Sequence, residues 1–331
     1  MTIREFLRDY CERDNKLASL SYFGNFAVYF FTLWLAIQVA AYWYLVIPMV
    51  IINAFAAVRL YVLQHDCGHA SLFETKRLND WAGYGLSIFT LTPFRAMQYN
   101  HNVHHTHIGD LDERDSGEIF TMTVREYESA PLWKKIGYRI YRNPLFLLPI
   151  GGLFVYLIRY RWPKNTLKIG VMGVLAHNLM LAAWLGLIWA LAGMTGLYVY
   201  LGTAFAAGII GVFLVYLQHN FEDTYWDRKP DLSFEKAALI GASALDLGWW
   251  FDIGTGNIAY HDIHHFNARI PSYRLRKCHN ELRKHFDVQI IDWPMALRSF
   301  TLKLWDEDKG RLVRIPGTAP GYTSRLLGLA R

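Results

Sequence analysis

The chain has 331 residues, 53% of them hydrophobic and only 19% charged, with 34 Lys and Arg against 28 Asp and Glu. A soluble domain carries nearer 25% charged residues. Leu17–Val58 and Ile169–Phe221 contain no Asp, Glu, Lys or Arg; each accommodates two spans of about 20 residues with a tight turn, which excludes a soluble globule. The net charge of +6 follows from membrane topology and calls for no nucleic-acid partner. Cys11, Cys67 and Cys278 form no close pair. There is neither a disulfide framework nor a CxxC site, in keeping with a reducing compartment.

In chain order, residues 1–16 carry eight charges, unlike a signal peptide, and predict a cytosolic N-terminus. A first transmembrane hairpin is expected over residues 22–63, with helices Tyr22–Ala40 and Tyr42–Leu63. Pro48 kinks the second helix, which membrane helices tolerate, and Arg59 near its end can snorkel to the interface. Trp81–Phe94 and Pro144–Ile158 are apolar but short, and Gly and Pro interrupt both. They read as interfacial or re-entrant segments, since one extra crossing would split the histidine clusters between opposite faces. A second hairpin is expected over residues 170–217, with helices Gly170–Gly193 and Leu197–Leu217. The turns near Ala41 and at Met194–Gly196 hold no Lys or Arg. The positive-inside rule then puts both termini and the segments 64–169 and 218–331 in the cytosol. The expectation is one domain, 1–331: an all-α integral membrane protein with four transmembrane helices in two hairpins and a cytosolic helical cap.

That cap holds the chemistry. Eight of the 13 histidines fall in three clusters: His65-Asp-Cys-Gly-His69, His101-Asn-Val-His104-His105 and His261-Asp-Ile-His264-His265. Positions i, i+3 and i+4 share one helical face, so each cluster aims two or three imidazoles at one point. His219 ends the fourth helix much as His65 and His69 extend the second. Such clusters on one side of a membrane point to a shared metal site. Neutral imidazole suits Zn, Cu, Fe and Ni, and eight or nine ligands imply two metals where a tetrahedral zinc takes three or four. No Glu has a His three residues later, which removes the carboxylate-bridged di-iron class.

HDCGH, HNVHH and HDIHH resemble the three histidine boxes of the membrane fatty acid desaturases. Gln218–Trp226 (QHNFEDTYW) resembles the stretch that supplies a further histidine in the acyl-lipid branch. Thr90–Phe94, His107–Asp115, Thr123–Tyr127 and His265–Leu275 extend the likeness to bacterial Δ12/ω6-type acyl desaturases across Leu60–Leu275. The resemblance implies a non-haem di-iron centre on His65, His69, His101, His104, His105, His219, His261, His264 and His265, in a bacterial inner membrane. It also implies O2 as co-substrate, a lipid- or thioester-linked acyl chain as substrate, and a separate, ferredoxin-like electron donor. In the animal acyl-CoA branch an Asn one turn before the extra histidine joins the metal shell through water; here that position is Val215.

Asp66, Glu222 and Asp262, each near a box histidine, are candidates to accept a ligand's second N–H. Asp252 and Asn257 are candidates to orient the third box, and His107, His177, His279 and His285 read as non-ligands. Trp249, Trp250 and Phe251 either line an acyl tunnel or belong to an interfacial belt. Arg274, Arg276, Lys277, Arg283 and Lys284 form a basic patch, suited to cytosolic-side charge, lipid head groups or an acidic electron donor. Gly254–Ala259 matches GxGxxA without a βαβ frame and is set aside. Other outcomes open to the same site are hydroxylation, terminal-alkene formation and carotenoid oxidation. A membrane zinc hydrolase would leave six histidines unexplained, and a metal transporter would place its ligands within the spans, where only His177 lies.

Overall fold

The computed structural model describes residues 2–114 and 119–317; Asp115, the last residue of the His107–Asp115 motif, and the segment 318–331 lie outside them. Thr2 and Glu5 close a capping box on α1 (Ile3–Arg8). Asp14 caps α2 (Asn15–Gln38) by accepting the Lys16 and Leu17 N–H groups, which satisfies donors that the helix leaves unpaired. After the turn 39–42 comes α3 (Trp43–Gly68), with Pro48 inside it. α2 and α3 pack along each other. Between them the buried Asn53 amide donates to the Tyr29 carbonyl and the Thr32 hydroxyl, both at 2.8 Å. An unpaired amide in hydrocarbon costs several kcal/mol, so this clamp fixes the helix register. Arg59 is held by the Asn25 side-chain carbonyl and the Ile253 carbonyl.

α4 (Lys76–Ser87) and α5 (Phe94–Thr106) lie against α3. α6 (Val124–Ser129) and α7 (Leu132–Tyr141) lead to α8 (Pro144–Leu153), which runs on through a π-helical turn, Phe154–Ile158, and a 3-10 turn, Arg159–Arg161. After α9 (Pro163–Ile169), α10 (Val171–His219) takes up 49 residues. A straight helix of that length would measure about 73 Å. Gly193 prevents it, with φ 62° and ψ −157°, angles that a residue without Cβ takes readily. The Trp184 and Tyr200 rings lie 6.4 Å apart, where a straight helix would separate the two residues by about 24 Å. α10 therefore doubles back at Gly193.

Among the described residues, α2, α3, Pro144–Arg161 and α10 are long and apolar enough to cross a membrane, with mean hydropathies of 1.4, 2.1, 1.2 and 2.0. Leu20, Phe23, Trp43, Leu179 and Leu191 are exposed along them. Pro144–Arg161, expected as an interfacial or re-entrant stretch, qualifies by length and composition, as a helix that passes through a π-helical and a 3-10 turn. Its glycines are packing residues: a Cβ on Gly152 would stand 2.8 Å from the Gly208 carbonyl carbon, so α8 meets α10 backbone to backbone.

The cap adds α11 (Phe234–Leu239), α12 (Trp249–Gly254), α13 (His261–Phe266), α14 (Ser272–Leu282) and α15 (Trp293–Ser299). Short strands β1 (Ala244–Leu245) and β2 (Ile290–Ile291) pair in parallel, and β3 (Leu304–Asp306) and β4 (Arg311–Val313) pair antiparallel. A buried cluster including Leu217, Phe221, Leu245, Ile263, Leu275 and Leu282 seats α13 and α14 on the end of α10.

Candidate metal centre

α3 carries His65 in its last turn and His69 at its C-cap, and α10 stops at His219. α5 and α13 carry the other two clusters. Side-chain amides and carboxylates set the register among these elements. Gln64, next to His65, donates to the Thr92 carbonyl at 3.0 Å and accepts from the Thr90 and Thr92 hydroxyls at 2.6 and 2.7 Å. The start of α5 is thereby pinned to the end of α3. Asp66 accepts the Ser272 N–H at 2.7 Å, Asn257 donates to the Ser272 carbonyl at 3.0 Å, and Gln218 donates to the Ile258 carbonyl at 2.8 Å. These bonds tie the chain around α13 to α3 and α10. Asn257 sits at φ 65°, a left-handed conformation that Asn tolerates better than most residues.

The nine histidines form two compact groups. His65, His69, His101, His105 and His264 make the first, and His104, His219, His261 and His265 the second; within each, one nitrogen per residue lies within 4.8 Å of all the others. α5 sends its i, i+4 pair, His101 and His105, to the first group and His104 to the second. α13 does the reverse, with His261 and His265 in the second group and His264 in the first. Nε2 atoms face each other at 2.9 Å (His101–His105), 3.0 Å (His105–His264), 2.9 Å (His261–His265) and 3.2 Å (His104–His265). Two nitrogens bound at right angles, each about 2.1 Å from one ion, lie about 3 Å apart. The spacing fits neighbouring ligands of a metal.

The unpaired atoms agree. Both ring nitrogens of His65 and His219, and Nε2 of His69, are buried without a hydrogen-bond partner among the described residues. Such orphans cost about 1–3 kcal/mol each, and a bound cation would satisfy one nitrogen of each ring. Desolvation, followed by the neighbouring imidazoles, holds His69, His101, His264 and His265 well below the ordinary histidine range. His104 and His261 are lowered in the same way, and His105 is pushed down to about 3. The rings are neutral, which is the form that binds metal. The second group is wholly buried, while His69, His101 and His105 of the first are half-buried.

A cavity of about 280 Å³ reaches both groups, with His65, His101, His104, His219 and His261 in its wall. Ala57, Val58 and Tyr61 of α3, Tyr156 beyond α8, and Ala204 and Gly208 of α10 line its apolar length. From Ala204 to His219, α10 rises about 22 Å.

The acids expected beside the boxes behave differently from one another. Asp66 Oδ1 lies 3.5 Å from His65 Nδ1, a close approach longer than a hydrogen bond. Asp262 is fully buried with neither oxygen bonded among the described residues, and burial raises its carboxyl to about 7. Glu222 pairs instead with two cations that the C-terminal segment brings to it, Arg298 at 2.6 Å and Arg311 at 3.7 Å. Asp252 accepts from the Tyr260 hydroxyl at 2.8 Å and pairs with Arg276 at 3.2 Å, holding the residue before His261.

His107, His177, His279 and His285 stand outside both groups; His177 bonds Ser87 and Arg161, and His279 stacks on Tyr260. Trp249 and Trp250 are exposed and Phe251 is buried, none of them in the cavity wall. Tyr61, Phe154, Tyr156 and Tyr160 are there instead. The basic patch is partly neutralised, with Arg274 paired to Glu12, Arg276 to Asp252 and Lys284 to Glu281.

Arg142 escapes sequence reasoning altogether. Its fully buried guanidinium donates to Thr121 Oγ1 at 2.7 Å and Asn220 Oδ1 at 3.0 Å. It also reaches the Phe120 and Leu302 carbonyls and the Tyr216 hydroxyl, each at 3.3 Å. Every one of these acceptors is a neutral oxygen, and together they fix the end of α10 at His219. The one local cue is an Arg standing just before an apolar run.

A family model described as fatty acid desaturase matches residues 41–292. A fatty acid desaturase of Bacillus subtilis is 33% identical over 295 residues, covering 87% of this chain and 83% of its own. An sn-1 acyl-lipid omega-3 desaturase (ferredoxin) of Synechocystis is 29% identical over 66% of this chain and 62% of its own. An sn-1 oleoyl-lipid 12-desaturase of Picosynechococcus is 23% identical over 78% and 74%. The family model and the Bacillus relative both span most of the sequence, including all nine histidines of the two groups, and on that basis the chain belongs to the fatty acid desaturase family.

Proposed function

We propose that this chain is an oxygen-dependent desaturase that introduces a C=C bond into a lipid-linked acyl chain at a pair of irons. One observation carries this reading: an apolar cavity opens onto two all-imidazole groups. His65, His69, His101, His105 and His264 would hold one iron, and His104, His219, His261 and His265 the other. When bound, the irons supply the oxygen activation needed to take two hydrogens from adjacent methylenes, which no side-chain base removes. Overall, one O2, two electrons and two protons enter with the methylene pair, and the alkene and two waters leave.

The chain's own residues do the positioning. Neutral imidazoles add no ionic charge to a site that hydrocarbon must approach, and the apolar walls keep water from the acyl chain. Gln64, Asp66 and Arg142 fix the helix ends that carry the histidines, so the depth at which the chain meets them is set by the fold. The names of the relatives add an acyl-lipid substrate and a ferredoxin donor. Residues 1–331 are read as one domain in a bacterial inner membrane, with both termini, the cap and the histidines on the cytosolic side, where such a donor works.

Elemental mass spectrometry of the detergent-purified chain, with acyl profiling of cells that express it, tests this reading. About two irons per chain and an oxygen-dependent unsaturated product are expected of a di-iron site. Zinc alone, with hydrolysis of lipid and no new double bond, would overturn it.

A further inference from the structure

An open groove of about 480 Å³ lies away from the histidines, on α4 and the start of α5, lined by Lys76, Arg77, Asp80, Trp81, Tyr84 and Arg95. We infer that this groove binds the phosphate head group of an anionic membrane lipid, whose acyl chains lie along α4 and α2. The site is independent of the reaction proposed above.

Its charge is unbalanced. Lys76 pairs with Asp80 at 2.6 Å, and Arg95 grips the same carboxylate at 3.0 and 3.2 Å while donating to the Tyr84 hydroxyl at 3.1 Å. One acid is thus shared by two cations, and Arg77 finds no acceptor among the described residues. Three cations against one carboxylate leave a surplus that an anion would complement.

Its apolar surface is unusual for a cap that meets only water. Trp81 is 68% exposed, Leu78 44% and Tyr84 41%. The Tyr22 hydroxyl of α2 donates to the Ala82 carbonyl at 3.4 Å, so α4 lies against the first membrane-crossing helix near its exposed Leu20 and Phe23. Cations and exposed aromatics side by side, at the level where a span leaves hydrocarbon, match the order of charge and chain in a lipid.

Native mass spectrometry of the full chain in detergent, titrated with phosphatidylglycerol or phosphatidylcholine, tests the site. The unmodified chain is expected to retain phosphatidylglycerol in preference to phosphatidylcholine. A Lys76→Gln, Arg77→Gln double variant is expected to hold it about 30-fold more weakly, the factor two cations contribute at a lipid surface. A Lys76→Arg, Arg77→Lys variant keeps the charge and should retain the lipid, which separates charge from folding. Equal retention by the unmodified chain and the Gln variant overturns the site. Displacement of the lipid by inorganic phosphate alone assigns the groove to a soluble anion and overturns the lipid.

Discussion

Replacing Arg142 with Met removes the cation that holds the end of α10. Two of its five acceptors keep a shared donor. The Leu302 carbonyl lies 3.3 Å from the Tyr216 hydroxyl, which also reaches the Ser299 carbonyl at 3.0 Å. Asn220 Oδ1 lies 3.3 Å from the Thr121 hydroxyl, which also reaches the Ile119 carbonyl at 3.1 Å. Thr121 Oγ1 loses its donor in a buried setting, at about 1–3 kcal/mol, and the half-buried Phe120 carbonyl loses its donor at less than that. The guanidinium also lies 5.2 Å from the Tyr216 ring centre, a contact worth about 1 kcal/mol. Relief from burying an unpaired charge offsets part of the sum, leaving a net loss of about 3 kcal/mol. At 2–4 °C per kcal/mol for a large domain, the melting temperature should fall by about 6–12 °C. Arg142→Lys should fall nearly as far, because one ammonium cannot reach Thr121, Tyr216 and Leu302 together. The assay is thermal unfolding in detergent, followed by the loss of monodisperse protein. A Met variant that melts at or above the unmodified chain would refute the reasoning, since burial cost would then outweigh every bond the guanidinium makes.

Three further outcomes are expected. His104→Ala and His264→Ala, one from each group, should each abolish turnover while the chain still reaches the membrane fraction; retained unsaturated product in either would break the two-group assignment. Lys303 donates to the Arg142 carbonyl, and burial pushes its ammonium down to about 7 from 10.5. The folded chain then binds fewer protons than the unfolded one between those values, so stability rises with pH across that window and is lost as pH falls through it. Lys303→Met should flatten that slope and raise the melting temperature at neutral pH; an unchanged slope in the variant would count against it. Gly152→Ala, whose Cβ meets the Gly208 backbone, should part α8 from α10 and cost turnover about a hundredfold. Gly24→Ala, with nothing within 4 Å, is the matched control, and equal activity in the two would dismiss the close contact.

The membrane class and the nine histidines are legible because both are written locally. Stretches without charge and imidazoles at i, i+3 and i+4 keep their meaning whatever the tertiary packing. What is hidden depends on partners distant in the chain. Gly151 and Gly152 look like helix breakers until Val212 is placed against the first and Gly208 against the second. Glu222 stands near His219 in sequence, yet the chain has left the helix by then, and Arg298 and Arg311 claim it. The partners of Arg59, Asn25 and Ile253, are hidden because they sit on other elements. Trp249 and Trp250 lie next to the third box in sequence but face outward, since a short helix spreads its neighbours around the axis.

The exchange of histidines between α5 and α13 governs how this chain can change in length. Each helix serves both groups, so one residue gained or lost between His101 and His104, or between His261 and His264, would swing the histidines beyond it by about 100°. Neither group could be spared, because the displaced rings belong to both. The exposed Asn102 between them can vary in kind, but the number of residues there cannot drift. Insertions and deletions compatible with the site are thereby confined to the turns and termini, and the two groups can only be inherited together.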